Sequence, residues 1–136
     1  MINNLKFFSY FLISLSVTAS IYAKEIPNFG DISIKAEHVI LNKFTNKLLL
    51  KTNIQINFGD FILSGDSAIL SYDEEKLVID GSPASMLSKN QGITGAANQF
   101  IIYPNLSMEM LGDAQLLQND QSIYAEQITY KISPND

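Results

Sequence analysis

Residues 52–58 read TNIQINF, and this stretch decides the fold class. Ile54, Ile56 and Phe58 fall on one parity; Asn53, Gln55 and Asn57 fall on the other. A period of two with apolar and polar residues separated in this way is a strand with one face buried. The same alternation extends outward in both directions once residue 23 is passed, with Gly, Asn, Asp, Ser and Pro clustered between the runs. Seven long strands are expected, at about 31–41, 46–58, 61–72, 76–88, 92–103, 107–118 and 122–132. The connections between them are short and rich in turn formers: Asn42–Asn46, Gly59-Asp60, Asp73–Glu75, Asn90-Gln91, Pro104-Asn105 and Asn119-Asp120. Tight turns between neighbouring strands imply antiparallel pairing throughout.

The strands belong to an internal repeat. Ala36 of IKAEHVIL, Gly65 of LSGDSAIL, Ala97 of GAANQFII and Ala125 of IYAEQITY occupy equivalent places, at steps of 29, 32 and 28 residues. Each small residue precedes a polar pair and then an apolar–x–apolar step: Val39/Leu41, Ala68/Leu70, Phe100/Ile102 and Ile128/Tyr130. A second element fills the gaps, with Leu48/Leu50, Leu77/Ile79 and Met108/Met110. Thr52, Gly81 or Gly112 follows each of these pairs, and then comes Ile54/Ile56, Ala84/Met86 or Ala114/Leu116. One unit of about 30 residues is therefore a hairpin of two long strands.

Both strand types are irregular at mid-length. Inward positions run 32, 34, 36 and then jump to 39 and 41, which suggests a β-bulge at that point. Gly81, Ser82-Pro83 and Gly112 mark bends in the alternate strands. Stacked bent hairpins give an all-β, V-shaped sheet with apolar columns on its concave side, each repeat needing its neighbours to cover that face.

The first residues differ from the rest. Lys6 precedes an apolar run from Phe7 to Ile21, ending in Ile21-Tyr22-Ala23. This order is that of a secretory signal peptide cut after Ala23, leaving a domain of residues 24–136. Ile21 stands where a small residue is preferred, and retention of residues 7–23 as an anchor is the other reading. The exported chain carries eight lysines, no arginine and fourteen carboxylates, a net charge of −6. That balance is opposite to a nucleic-acid-binding protein's. One histidine and no cysteine leave no His/Cys metal site within one chain. His38 sits in a polar pair at the bulge, where a structural or exposed role outweighs a catalytic one. Gly65-Asp66-Ser67 lies in a strand repeat instead of a strand-to-helix elbow, and no downstream histidine could activate Ser67. No nucleotide-binding motif is present. An enzyme is not expected, nor a cofactor.

The inward columns comprise Ile32, Ile34, Val39, Leu41, Leu48, Leu50, Ile54, Ile56, Leu63, Leu70, Ile79, Met86, Phe100, Ile102, Met108, Met110, Leu116 and Ile128, with Phe61, Leu77 and Tyr130 on the same parity. Such columns suit either an ordinary core or an apolar groove that takes up lipid. Lys35, Lys43, Lys47, Lys51 and Lys76 are read as solvated more readily than as phosphate contacts, since no arginine supports them.

Two runs carry a resemblance. LLLKTNIQINFGDFILSGDSAILSYDEEKLVIDGSPASM and GITGAANQFIIYPNLSMEMLGDAQLLQNDQSIYAEQITYKI resemble the OstA-like domain of the periplasmic lipopolysaccharide-transport protein A (LptA) family. The matching features are Thr52-Asn53, Gly65-Asp66, Asp80-Gly81 with Pro83-Ala84, Gly95 with Ala97, Leu111-Gly112-Asp113-Ala114 with Leu116, and Ile128-Thr129-Tyr130. Their order and spacing over about residues 31–132 carry the likeness, no single motif being specific. Thr52 replaces the usual Gly, and Asp113 the usual Asn. The sequence stops soon after Tyr130, where the family commonly continues with further strands.

The resemblance implies an open, twisted β-jelly roll that holds the acyl chains of lipopolysaccharide among the inward residues named above. It implies a periplasmic location between inner and outer membranes. It also implies head-to-tail joining through edge strands to further copies, to an anchored LptC-like protein and to an outer-membrane LptD-like translocon. A membrane-anchored LptC-like member of the pathway and a structural β-repeat scaffold with a dry core are the alternatives.

Overall fold

The computed structural model describes residues 32–104 and 107–131. The expected export segment and its cleavage point lie outside these residues. Eight strands form one antiparallel sheet: β1 Ile32–Lys35, β2 His38–Asn42, β3 Lys47–Phe58, β4 Phe61–Ser71, β5 Lys76–Ser88, β6 Ile93–Tyr103, β7 Ser107–Gln118 and β8 Gln121–Lys131. Neighbours in sequence are neighbours in the sheet from β3 to β8, while β1 and β2 share one flank of β3. The first expected strand is thus two, interrupted at Ala36-Glu37, where Glu37 N–H donates to the Thr52 carbonyl at 3.0 Å.

The turns follow from their residues. Gln118 pairs with Gln121 across Asn119-Asp120, and both central residues have positive φ, 48° and 69°. Asn and Asp tolerate that region, and a two-residue turn of this hand matches the twist of the strands it joins. Phe58 and Phe61 pair across Gly59-Asp60 in the same tight fashion, with Gly59 at φ 57°.

Every strand from β3 to β8 changes register at mid-length, and the shifts line up across the sheet. Between one pair of facing rows, Ile34 to Val39, Leu63 to Ala68, Gly95 to Phe100 and Ile123 to Ile128 are each five residues long. The partner segments are longer: Leu50 to Ile56 and Met110 to Leu116 take six, and Ile79 to Met86 takes seven. The surplus residue expected at Ala36 therefore sits in the partner strand instead. In β3 it is absorbed by Thr52 and Asn53 (φ 68° and 52°), and in β7 by Gly112 and Asp113 (φ 84° and 46°). In β5 the surplus is two residues and lies at Gly81-Ser82-Pro83, where the Ser82-Pro83 peptide is cis. A five-residue step inverts parity, which is why the small residues Ala36, Gly65, Ala97 and Ala125 recur beside the bend.

The bend divides the sheet into two halves, named here for the short strands they contain. The β2 half includes Lys47–Lys51, Ser67–Ser71, Lys76–Asp80, Gln99–Tyr103, Ser107–Leu111 and Gln127–Lys131; the β1 half holds the rest. The halves face one another. A side chain placed on Gly95, in the β1 half, would stand 2.9 Å from Met110 Cε in the β2 half. Phe61 and Tyr130 meet edge-to-face across the same seam. The result is an all-β, open, twisted jelly roll whose core lies between the halves.

Candidate functional site

The inward residues assemble into rows that cross the sheet. In the β2 half one row is Leu41, Leu48, Leu70, Leu77, Ile102, Met108 and Tyr130, each opposite the next. The row beside it is Val39, Leu50, Ala68, Ile79, Phe100, Met110 and Ile128. The β1 half supplies Ile34, Ile56, Leu63, Met86, Gly95, Leu116 and Ile123. Seven strands at about 4.8 Å spacing make each row roughly 29 Å long. The apolar interior runs the length of the stack, parallel to the fold line.

Twelve of the expected lining residues are fully interior: Leu50, Ile54, Ile56, Leu63, Leu70, Ile79, Met86, Phe100, Ile102, Met108, Met110 and Leu116. Ile32, Ile34, Leu48 and Ile128 are half-buried against them. Val39 and Leu41 differ: they point inward by register but lie on the outermost strand and are 54% and 56% exposed. Ile123, on the inward row of β8 at the opposite end, is 46% exposed. The apolar interior is therefore uncovered at both ends of the stack.

Sequence reading left several core members off the site. Phe58, Ala68, Ala84, Ile93, Ala97 and Ala114 are buried in the same interior. Phe58 shares the parity of Ile54 and Ile56, and Ile93 alternates with Gly95 and Ala97, so the period of two already pointed to them. The alanines are small because the halves approach most closely near the bend. Among the described residues two buried side chains are polar: Ser88, in the inward row of Phe61 and Ile93, and Ser71, which lies opposite Lys47 and Lys76 on the other face. The Ser88 hydroxyl is fully buried and has no hydrogen-bond partner.

Catalytic chemistry finds little here. Ser67 lies within β4, paired with Lys51 and Asp80 of the neighbouring strands, and His38 is exposed on β2 beside Lys51. Among the described residues no group of three His, Cys, Asp or Glu is placed to hold a metal ion. Shallow clefts on the outer surface follow the bend, lined by Asp113, Gln115, Tyr124 and Glu126 and by Ser82, Pro83 and Asn98.

Comparison with known proteins agrees with this architecture. A comparison with curated protein sequences finds no match. The solved structure of LptH from Pseudomonas aeruginosa, described as the LptA-homologous periplasmic component of the lipopolysaccharide transport device, superposes with a TM-score of 0.71. Identity is 16%, and the match covers 79% of this chain and 80% of that one, so the likeness is one of fold. The family model of the LptA/(LptD N-terminal domain) lipopolysaccharide transport protein matches residues 33–136. That family is one of transport proteins, not enzymes. With nearly the whole described sheet inside the match, the chain belongs to the LptA/(LptD N-terminal domain) lipopolysaccharide transport family, and its role lies in lipopolysaccharide transport.

Proposed function

We propose that this protein is a periplasmic carrier that shields the acyl chains of lipopolysaccharide between the two halves of its bent sheet. The observation that carries the reading is the set of apolar rows that cross every strand and reach both uncovered ends of the stack. Each methylene removed from water contributes about 0.8 kcal/mol, so acyl chains bind there without a polar anchor. Met86, Met108 and Met110 line the seam, and unbranched methionine adapts to irregular apolar shapes. In the free protein those side chains fill the interior themselves. Lipid then enters by displacing contacts between the halves, starting from an open end where fewer contacts hold them.

The uncovered ends also account for assembly. β2 with β1 at one end and β8 at the other present unpaired edges next to exposed apolar residues. Such edges join by strand addition. A second copy, an anchored LptC-like protein or an outer-membrane LptD-like translocon continues the interior from one molecule to the next.

A closed structural scaffold is the rival, and the near-zero exposure of Ile56, Leu63, Phe100 and Ile102 favours it. Gel filtration of the exported protein with purified lipopolysaccharide separates the two. Co-elution of lipid with folded protein, away from micelles, is expected. A folded protein that elutes free of lipid at every ratio leaves the scaffold as the reading.

A further inference from the structure

Ser88 is the one buried polar side chain on the inward face among the described residues, and its hydroxyl has no hydrogen-bond partner. It closes β5, at the margin of the β1 half furthest from the bend. Its row runs Phe58, Phe61, Ser88, Ile93 and Gln118, so a lone hydroxyl stands between an aromatic ring and an aliphatic side chain. An enclosed hydroxyl without a partner costs stability, and such a group in a folded protein calls for something that satisfies it. Alanine would fill the same place without that cost, as Ala84 does on the same face of the same strand.

The surroundings of Ser88 make it the lip of the interior. Phe61, opposite Ser88 in the sheet, meets the ring of Tyr130 from the β2 half. The Tyr130 hydroxyl donates to Gln91, in the turn that begins just after Ser88. Tyr130 thus touches residues on either side of Ser88, and the two margins of the folded sheet come together there. Beyond this line lie the exposed turn residues Lys89, Asn90 and Gln91; behind it lies the next inward row, with Leu63, Met86 and Gly95. An amphiphile with its chains between the halves and its head in water crosses from one to the other at this margin.

We infer that Ser88 is a selectivity residue for the bound lipid, its hydroxyl pairing with a hydroxyl group carried near the head of an acyl chain, as in a 3-hydroxyacyl group. The inference rests on the reading that acyl chains occupy the interior. One residue of strand spans about 3.3 Å, so an oxygen level with Ser88 sits only about three carbons inside the margin. Serine suits that partner, since its hydroxyl both donates and accepts. A plain alkyl segment at the same level leaves Ser88 unpaired, as it is in the free protein, and gains nothing from it. Burial of methylenes supplies the affinity in either case. Ser88 decides which chain is favoured and at what depth it stops.

Titration calorimetry of the exported protein with tetradecanoate and with 3-hydroxytetradecanoate, each below its micelle concentration, tests this. The two acids differ in one hydroxyl, so the ratio of their affinities reads the pairing of that group alone. From the parent to Ser88→Ala the ratio favouring the hydroxy acid should fall by roughly fivefold or more, while tetradecanoate binds as before. An unchanged ratio in a variant that still binds both acids overturns the inference and leaves the acyl-carrying reading standing. Affinity lost alike for both acids does the same, since it marks a packing role for Ser88. A parent that binds neither acid overturns the inference and the acyl-carrying reading together.

Discussion

The ring of Tyr130 meets that of Phe61 edge-on, with centroids 5.9 Å apart and planes at 82°, across the seam between the two halves. The Tyr130 hydroxyl also donates to Gln91 Oε1, in the turn between β5 and β6. The last strand is thereby fastened to the opposite half far from its own neighbours in the sheet.

Tyr130→Ala should destabilise the protein by about 2–3 kcal/mol, through lost aromatic contact and buried area. Tyr130→Phe, which keeps the ring and loses only an exposed hydrogen bond, should cost about 0.5–1 kcal/mol. Urea unfolding followed by circular dichroism distinguishes the two; equal losses would mean that the ring contact contributes nothing.

Two glycines make contrasting demands. A Cβ at Gly65 would lie 2.7 Å from the Asp80 carbonyl oxygen, whereas one at Gly95 would meet the side-chain ends of Met110 and Met86 at 2.9 and 3.1 Å. A methionine terminus rotates aside and backbone does not. Gly65→Ala should therefore cost about 2 kcal/mol or more and Gly95→Ala about 1 kcal/mol or less, by the overpacking scale. Thermal melts of the two variants should rank in that order.

Thr52 holds a β-branched side chain at φ 68°, where the family usually has glycine. Thr52→Gly should stabilise the fold by about 1 kcal/mol, since glycine enters that region without the steric cost. A lowered urea midpoint would show that Thr52 makes a compensating contact.

The Ser88 hydroxyl is enclosed without a partner. Ser88→Ala removes a buried polar group whose desolvation is uncompensated, so the variant should be about 1 kcal/mol more stable than the parent. Loss of stability on this substitution would place a water at the hydroxyl.

Much of this was legible in the residues. TNIQINF gave a strand with Ile54, Ile56 and Phe58 buried and its polar residues exposed. The spacing of Ala36, Gly65, Ala97 and Ala125 marked the bend, and at Gly65 a Cβ would meet the Asp80 carbonyl oxygen. What stayed hidden depends on pairing. Parity at Ala36 could not say which strand carried the surplus residue, since a register shift belongs to two strands at once. Nor could alternation separate Val39 and Leu41 from Leu48 and Leu50: all four point inward, but only strands with neighbours on both sides are covered. On the outer face of the β2 half Ile40, Leu49, Ile69, Val78 and Ile101 lie each opposite the next, and this row escaped notice for the same reason. Each is a single apolar residue on a polar face until the register aligns them.

Lipid between the halves is the central claim, and photocrosslinking in living cells tests it most directly. A photoreactive amino acid placed at Ile34, Ile56 or Phe100, on the inward face, should yield lipopolysaccharide adducts; the same group at Gln55 or Asn57, on the opposite face of β3, should not. Adducts absent from every inward position of a folded, exported protein would contradict the claim and leave a structural scaffold with a closed, dry core.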